Sequence, residues 1–183
     1  MKRPASLSFL IIFLCCIVIG VGATLAYIVA TTPPVVNTFS VGDVKLSLTE
    51  TSGNTFKLAP GVTLKKDPLL TVKGGSLDCW VFIKVEASSD LHLYASYEID
   101  ETWIDLEGEA GVYYLKHKQS LSDSAYPIIK DNKVTVFEDV TEEDLSFIHI
   151  NPTLKFKAYA VQADSNINNP DVAWDTVILE KGE

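Results

Sequence analysis

Cys79-Trp80-Val81-Phe82-Ile83-Lys84-Val85 constrains the fold more than any other stretch, because its first five residues are all apolar. A strand that shows apolar side chains on both faces needs cover on both, so this run is expected to be a central strand of a packed sheet. Other runs alternate with period two. Residues 39–48 place Val44, Leu46 and Leu48 on one face, and Leu69-Leu70-Thr71-Val72 is a short strand ended by Gly74-Gly75. Strands are predicted over residues 94–99, 112–117 and 134–137. Residues 153–161 put Leu154, Phe156, Ala158 and Ala160 on one side, with Lys155, Lys157, Tyr159 and Val161 opposite. Thr141 is a suitable N-cap for a helix over residues 142–148, whose first turn holds Glu142, Glu143 and Asp144. Asn169 and Pro170 open a second helix, with Val172, Ala173, Trp174, Val177 and Ile178 as its apolar stripe. Many short strands and one or two short helices predict a mostly β fold, an antiparallel β-sandwich of jelly-roll type.

The N-terminus carries a different signal. Lys2 and Arg3 are the only charges before Asp43, and residues 7–21 are apolar except for Ser8. Gly20 and Gly22 follow within and after that run, then Ala23-Thr24-Leu25-Ala26 with small residues at alternate positions. A positive start, an apolar stretch and a small-x-small exit describe a secretory signal peptide, with cleavage expected between Ala26 and Tyr27. An uncleaved anchor is the alternative, since residues 7–30 number 24 and a spanning helix takes roughly 20. Cys15 and Cys16 follow Leu14 and Cys15 rather than a small residue, so they read as members of the membrane segment and not as lipid-attachment sites. Either way the chain begins with a signal or transmembrane helix and is expected outside the cytoplasm, secreted, at the cell surface or in a matrix.

Three regions follow: residues 1–26 as signal, 27–38 as an extended segment and 39–183 as the β-domain. Cleavage removes two positive charges, which takes the formal charge from −9 to −11 and leaves 157 of the 183 residues. That length suits one domain with a sizeable core, and that charge disfavours nucleic acid. Cys79 is the one cysteine beyond the signal, so no disulfide forms within the mature chain. The extended segment is β-prone and uncharged. Tyr27, Ile28, Val29, Ala30, Val35 and Val36 make it a candidate strand to lend to a neighbouring sheet edge, while Pro33-Pro34 keep it out of a central strand.

Gly22, Thr24, Ala26 and Tyr27, followed by Phe39, Gly42, Leu46 and Leu48, resemble a family of Gram-positive exported proteins. These use a dedicated signal peptidase of the SipW type, and the family includes TasA-like and camelysin-like members. The shared pattern is Gly-x-Thr-x-Ala-aromatic, then Phe-x-x-Gly and an alternating first strand. Residues 79–85 and Ala158-Tyr159-Ala160-Val161-Gln162 look like two core strands of shorter members. The resemblance implies recognition of Gly22, Thr24 and Ala26 by the peptidase, a jelly-roll sandwich, and for some members fibres built by N-terminal strand donation. Camelysin-like members also imply a secreted metallo-endopeptidase.

The residues themselves offer little catalytic chemistry. A catalytic zinc site needs three protein ligands, often from His-Glu-x-x-His, whereas His92, His117 and His149 are scattered and are expected at the surface or in turns. No Gly-x-Ser-x-Gly elbow occurs. Cys79 sits in the most apolar strand, where a thiol pKa rises. Asp164-Ser165-Asn166-Ile167-Asn168-Asn169 with Asp175 resembles a calcium loop but lacks the sixth-position Gly, and reads better as a polar turn before a helix cap. Trp80 and Trp174 read as core, while Trp103 and Tyr113-Tyr114 stay open as a glycan-stacking face.

The expectation is therefore an exported structural subunit without catalytic, cofactor or metal residues. It meets a signal peptidase during export and the membrane through its leader, then copies of itself or related matrix proteins. A secreted metallo-endopeptidase and a glycan or host-surface binding module are the alternatives. Mass spectrometry of the exported protein is expected to find Tyr27 as its first residue; Met1 retained on soluble protein contradicts this reading.

Overall fold

The structure, a computed structural model, describes residues 38–41, 43–53, 58–141, 143–144 and 152–181. Strands β1 (Thr38–Val41), β2 (Leu46–Thr49), β3 (Thr63–Lys65), β4 (Leu69–Val72) and β5 (Cys79–Ala87) come first. A single helical turn α1 (Leu91–Tyr94) leads into β6 (Ala95–Ile99), β7 (Ile104–Asp105) and β8 (Val112–His117). Then come β9 (Ser124–Pro127), β10 (Ile129–Val136), β11 (Leu154–Gln162) and helix α2 (Pro170–Lys181). The chain is thus mostly β, with three sheets.

The largest sheet has the order β1-β11-β5-β8-β7, and the smaller ones are β3-β10-β6 and β2-β4-β9. Pairing is antiparallel throughout except between β1 and β11, which run parallel. β5 is central, as its sequence requires. It pairs with β11 from Leu154↔Ala87 to Gln162↔Cys79 and with β8 from Cys79↔His117 to Lys84↔Val112.

Alternation divides these strands between two cores. Cys79, Val81, Ile83, Leu115, Phe156, Ala158 and Ala160 share one buried cluster with Leu48, Leu70 and Val72 of the β2-β4-β9 sheet and with Ala95, Val134 and Val136 of the β3-β10-β6 sheet. Trp80, Phe82, Val112, Tyr159 and Val161 face the other way and meet Ala173, Trp174 and Val177 of α2. Both faces of the central pair are covered, one by the small sheets and one by a helix.

Helix α2 starts where its caps dictate. The Val172 N–H donates to Asn169 Oδ1 at 2.9 Å, and Pro170 occupies the first helical position. Ahead of it, Trp80 Nε1 donates to the Ile167 carbonyl at 3.1 Å, which ties the incoming loop to β5. Trp174 then seats against Phe82 and Tyr159, with ring centroids 5.2 and 5.6 Å away. Val172, expected on the buried stripe, is 40% exposed. At the hairpin between β7 and β8, Gly111 has φ +71°, and its carbonyl accepts from the Val85 N–H at 2.8 Å. A Cβ there would lie 2.8 Å from the Val85 oxygen, so a side chain would break this closure.

Some expected elements differ in extent. The strand expected over residues 39–48 is two strands in different sheets, because the chain leaves β11 and crosses to β4 between them. Val44 and Leu48 nonetheless share the buried face assigned to them. The strand expected at residues 134–137 begins earlier, at Ile129, and carries an irregularity at Asp131 and Asn132, whose φ values are 54° and 56°. Most of the helix expected over residues 142–148 lies outside the described residues, but its cap does not. Asp144 N–H donates to Thr141 Oγ1 at 3.1 Å, and Thr141 N–H donates to Asp144 Oδ2 at 2.9 Å, a reciprocal capping box.

Trp174→Ala should destabilise the domain by about 3–5 kcal/mol in urea unfolding, the usual cost of emptying a large aromatic site. Trp174→Phe should cost less, because the indole N–H has no hydrogen-bond partner among the described residues. Equal losses for the two would contradict the packing role.

Candidate functional site

The extended segment enters the described domain at β1, the outer strand of the large sheet. β1 runs parallel to β11 in the register Thr38↔Ala158 to Val41↔Val161. Residues 154–157 of β11 pair with β5, from Leu154↔Ala87 to Lys157↔Lys84. Residues 27–37, which precede β1, lie outside the described residues.

The remaining edges are blunted. β7 has two residues, one of them Asp105. β3 ends in Lys65, β9 ends in Pro127, and β6 carries Glu98, which pairs with Lys130 at 3.3 Å. β2 is bounded by Lys45 and Glu50. β1 contains no charge, and neither does the sequence from Pro4 to Gly42. In β11, Lys155 and Lys157 alternate with Leu154 and Phe156, so both lysines stand on one face of the sheet. Lys157 Nζ donates to Glu86 Oε1 across to β5 at 2.5 Å.

Beside β11, Lys66 braces the inner face. Its Nζ donates to both Glu50 oxygens at 2.8 and 3.0 Å and stands 5.6 Å over the Phe156 ring. Next to it Asp67 accepts from Thr51 N–H, Thr51 Oγ1 and Ser52 N–H. Burial would raise the Asp67 pKa, but hydrogen bonds from Thr51, Ser52 and Lys65 outweigh it and hold the carboxyl well below the usual range.

The residues considered for catalysis are dispersed. Cys79 is fully buried, and burial, with Asp78 adding to it, pushes its thiol up to about 12, so it does not present a thiolate. His117 is not at the surface as expected. It is buried between the sheets because it continues the inward face of β8, and its Nδ1 shares a hydrogen bond of 2.8 Å with the Tyr126 hydroxyl. His92 is exposed beside a shallow depression lined also by Ser88, Leu91, Tyr97 and Phe137. Ser88 Oγ in that depression accepts from the Thr153 N–H at 2.9 Å. His149 lies outside the described residues. Among the described residues no three His, Cys, Asp or Glu side chains gather into a metal-binding group.

Trp103, left open as a sugar-stacking residue, is 6% exposed and donates Nε1–H to the Pro127 carbonyl at 2.7 Å, so it belongs to the core. Trp80 and Trp174 are core as expected, and Tyr113 and Tyr114 are half-buried. Asp164 Oδ1 accepts from the N–H groups of Asn166 and Ile167 at 2.7 and 2.9 Å, a turn leading to the α2 cap.

The signal residues Gly22, Thr24, Ala26 and Tyr27, and the donor-strand residues Ile28, Val29, Ala30, Val35 and Val36, lie outside the described residues. Among the described residues no helix is long and apolar enough to cross a membrane. What sequence reading missed is the inward placement of His117 and Trp103, which appears only when another sheet supplies Tyr126 and the Pro127 carbonyl. No family model, curated protein or solved structure matches the chain.

Proposed function

We propose that this chain is an exported structural protein of the extracellular surface or matrix, a jelly-roll sandwich of the TasA and camelysin type delivered by a SipW-dependent signal. A peptidase that reads Gly22, Thr24 and Ala26 frees Tyr27, and residues 27–36 then serve as a strand that one subunit lends to the next. Before cleavage the leader holds the segment at the membrane, which keeps it from pairing in the cytoplasm.

The observation that carries this reading is the composition of residues 27–36, β-prone and without charge, which lead towards β1 of the large sheet. Strand addition suits such a segment, because it has no charge to desolvate. Reach is sufficient as well: ten extended residues span about 33 Å, enough to lie along the edge of a neighbouring sheet.

Light scattering tests the proposal. Protein starting at Tyr27 is expected to form species larger than protein starting at Phe39. Equal monomeric mass for the two contradicts it.

A further inference from the structure

We infer that His117 makes the seam between the large sheet and the β2-β4-β9 sheet sensitive to acid, so that the domain loosens there as the surroundings fall below neutral pH. The geometry is a bridge between layers. His117 ends β8 in one sheet, Tyr126 lies in β9 of another, and a 2.8 Å hydrogen bond between Nδ1 and the hydroxyl joins them. The imidazole is 3% exposed. Behind the bridge, Trp103 meets the Tyr126 ring edge-on at 6.3 Å and is itself fixed to the Pro127 carbonyl.

Few groups could shelter a positive charge at this place. From β5, Cys79 is the cross-strand partner of His117, and its thiol is neutral across the physiological range. From β9, Tyr126 is a neutral phenol whose own pKa burial has raised. From β4, Leu70, the partner of Tyr126, is apolar. Asp78, just before β5, is the anion among the described residues that acts on the ring, and its Oδ1 already accepts the Gln119 N–H at 2.7 Å. On the same strand Lys116 is cationic and stands 4.8 Å over Trp80 on the opposite face. Lys118, exposed, follows directly in the chain. A protonated ring has two N–H donors, so Nδ1 can then only donate to the Tyr126 hydroxyl, and a charge is placed between the sheets.

Burial accordingly lowers the His117 pKa, with Asp78 opposing the shift only in part. The unfolded chain binds the proton near the ordinary value of 6.5 and the folded one only at lower pH. Stability therefore falls as pH drops through 6.5 and levels off below the folded value. Asp67, Asp123 and Asp144, all held below 3.8, begin to lose their contributions only as pH falls towards 3.8, well below the pH at which the His117 loss begins.

The test is urea unfolding of the full chain in a mild non-ionic detergent at pH 7.5 and 5.5, beside His117→Phe. The unfolding constant of the unsubstituted chain is expected to rise on acidification more than that of the variant. The excess has a ceiling of about ten-fold, set by one group of ordinary pKa titrating only when unfolded. Equal responses in the two overturn the inference. If His117→Phe does not fold, the imidazole C2–H titration of the unsubstituted chain decides, with His92→Gln and His149→Gln used to assign the signals. A His117 midpoint below 6.5 is expected, and one at or above it overturns the inference.

Discussion

The ladder between β5 and β11 is what the rest of the fold hangs on. It pairs nine residues on each strand without interruption, from Leu154↔Ala87 to Gln162↔Cys79. Because side chains alternate across a strand, this one ladder supplies inward residues to two separate cores. Val81, Ile83, Ala158 and Ala160 go to the small sheets, and Trp80, Phe82, Tyr159 and Val161 go to α2. A one-residue slip would exchange the two sets, placing Tyr159 in the cluster that Ala158 and Ala160 now share with Leu70 and Val72. Fixed register lets a domain with no disulfide among its described residues hold a single arrangement, its one described cysteine serving as packing.

β1 lies beside the second half of β11, from Thr38↔Ala158 to Val41↔Val161, and contains no charge. The other outer strands among the described residues are short, charged or ended by proline, features that close an edge to indiscriminate pairing. On the proposed reading an assembling subunit would need one uncharged edge of this kind, and its net charge, −9 for the full chain and −11 once residues 1–26 are removed, would hold subunits apart elsewhere.

Sequence reading reached the central strand, the two-sided pattern of β11 and the cap of α2, because each is local. Five apolar residues in a row, alternation over nine positions, and Asn-Pro before an apolar stripe need no knowledge of partners. It missed the break between β1 and β2, since Phe39 to Leu48 alternate well enough for one strand, and only their different partners, β11 and β4, separate them. β3, β7 and β9 were missed because strands of two to four residues carry too little pattern. His117 and Trp103 were misjudged for a related reason. A histidine at a strand end and a tryptophan in a turn become core residues only when a second sheet folds over them and supplies Tyr126 and the Pro127 carbonyl.

Amide hydrogen exchange across β5 and β11 tests the central claim most directly. The amides that bond within this ladder, over residues 79–87 and 154–162, should be the most protected in the domain and open only with global unfolding. Exchange along them as fast as in β3 or β7 would contradict the ladder's place as the support of both cores.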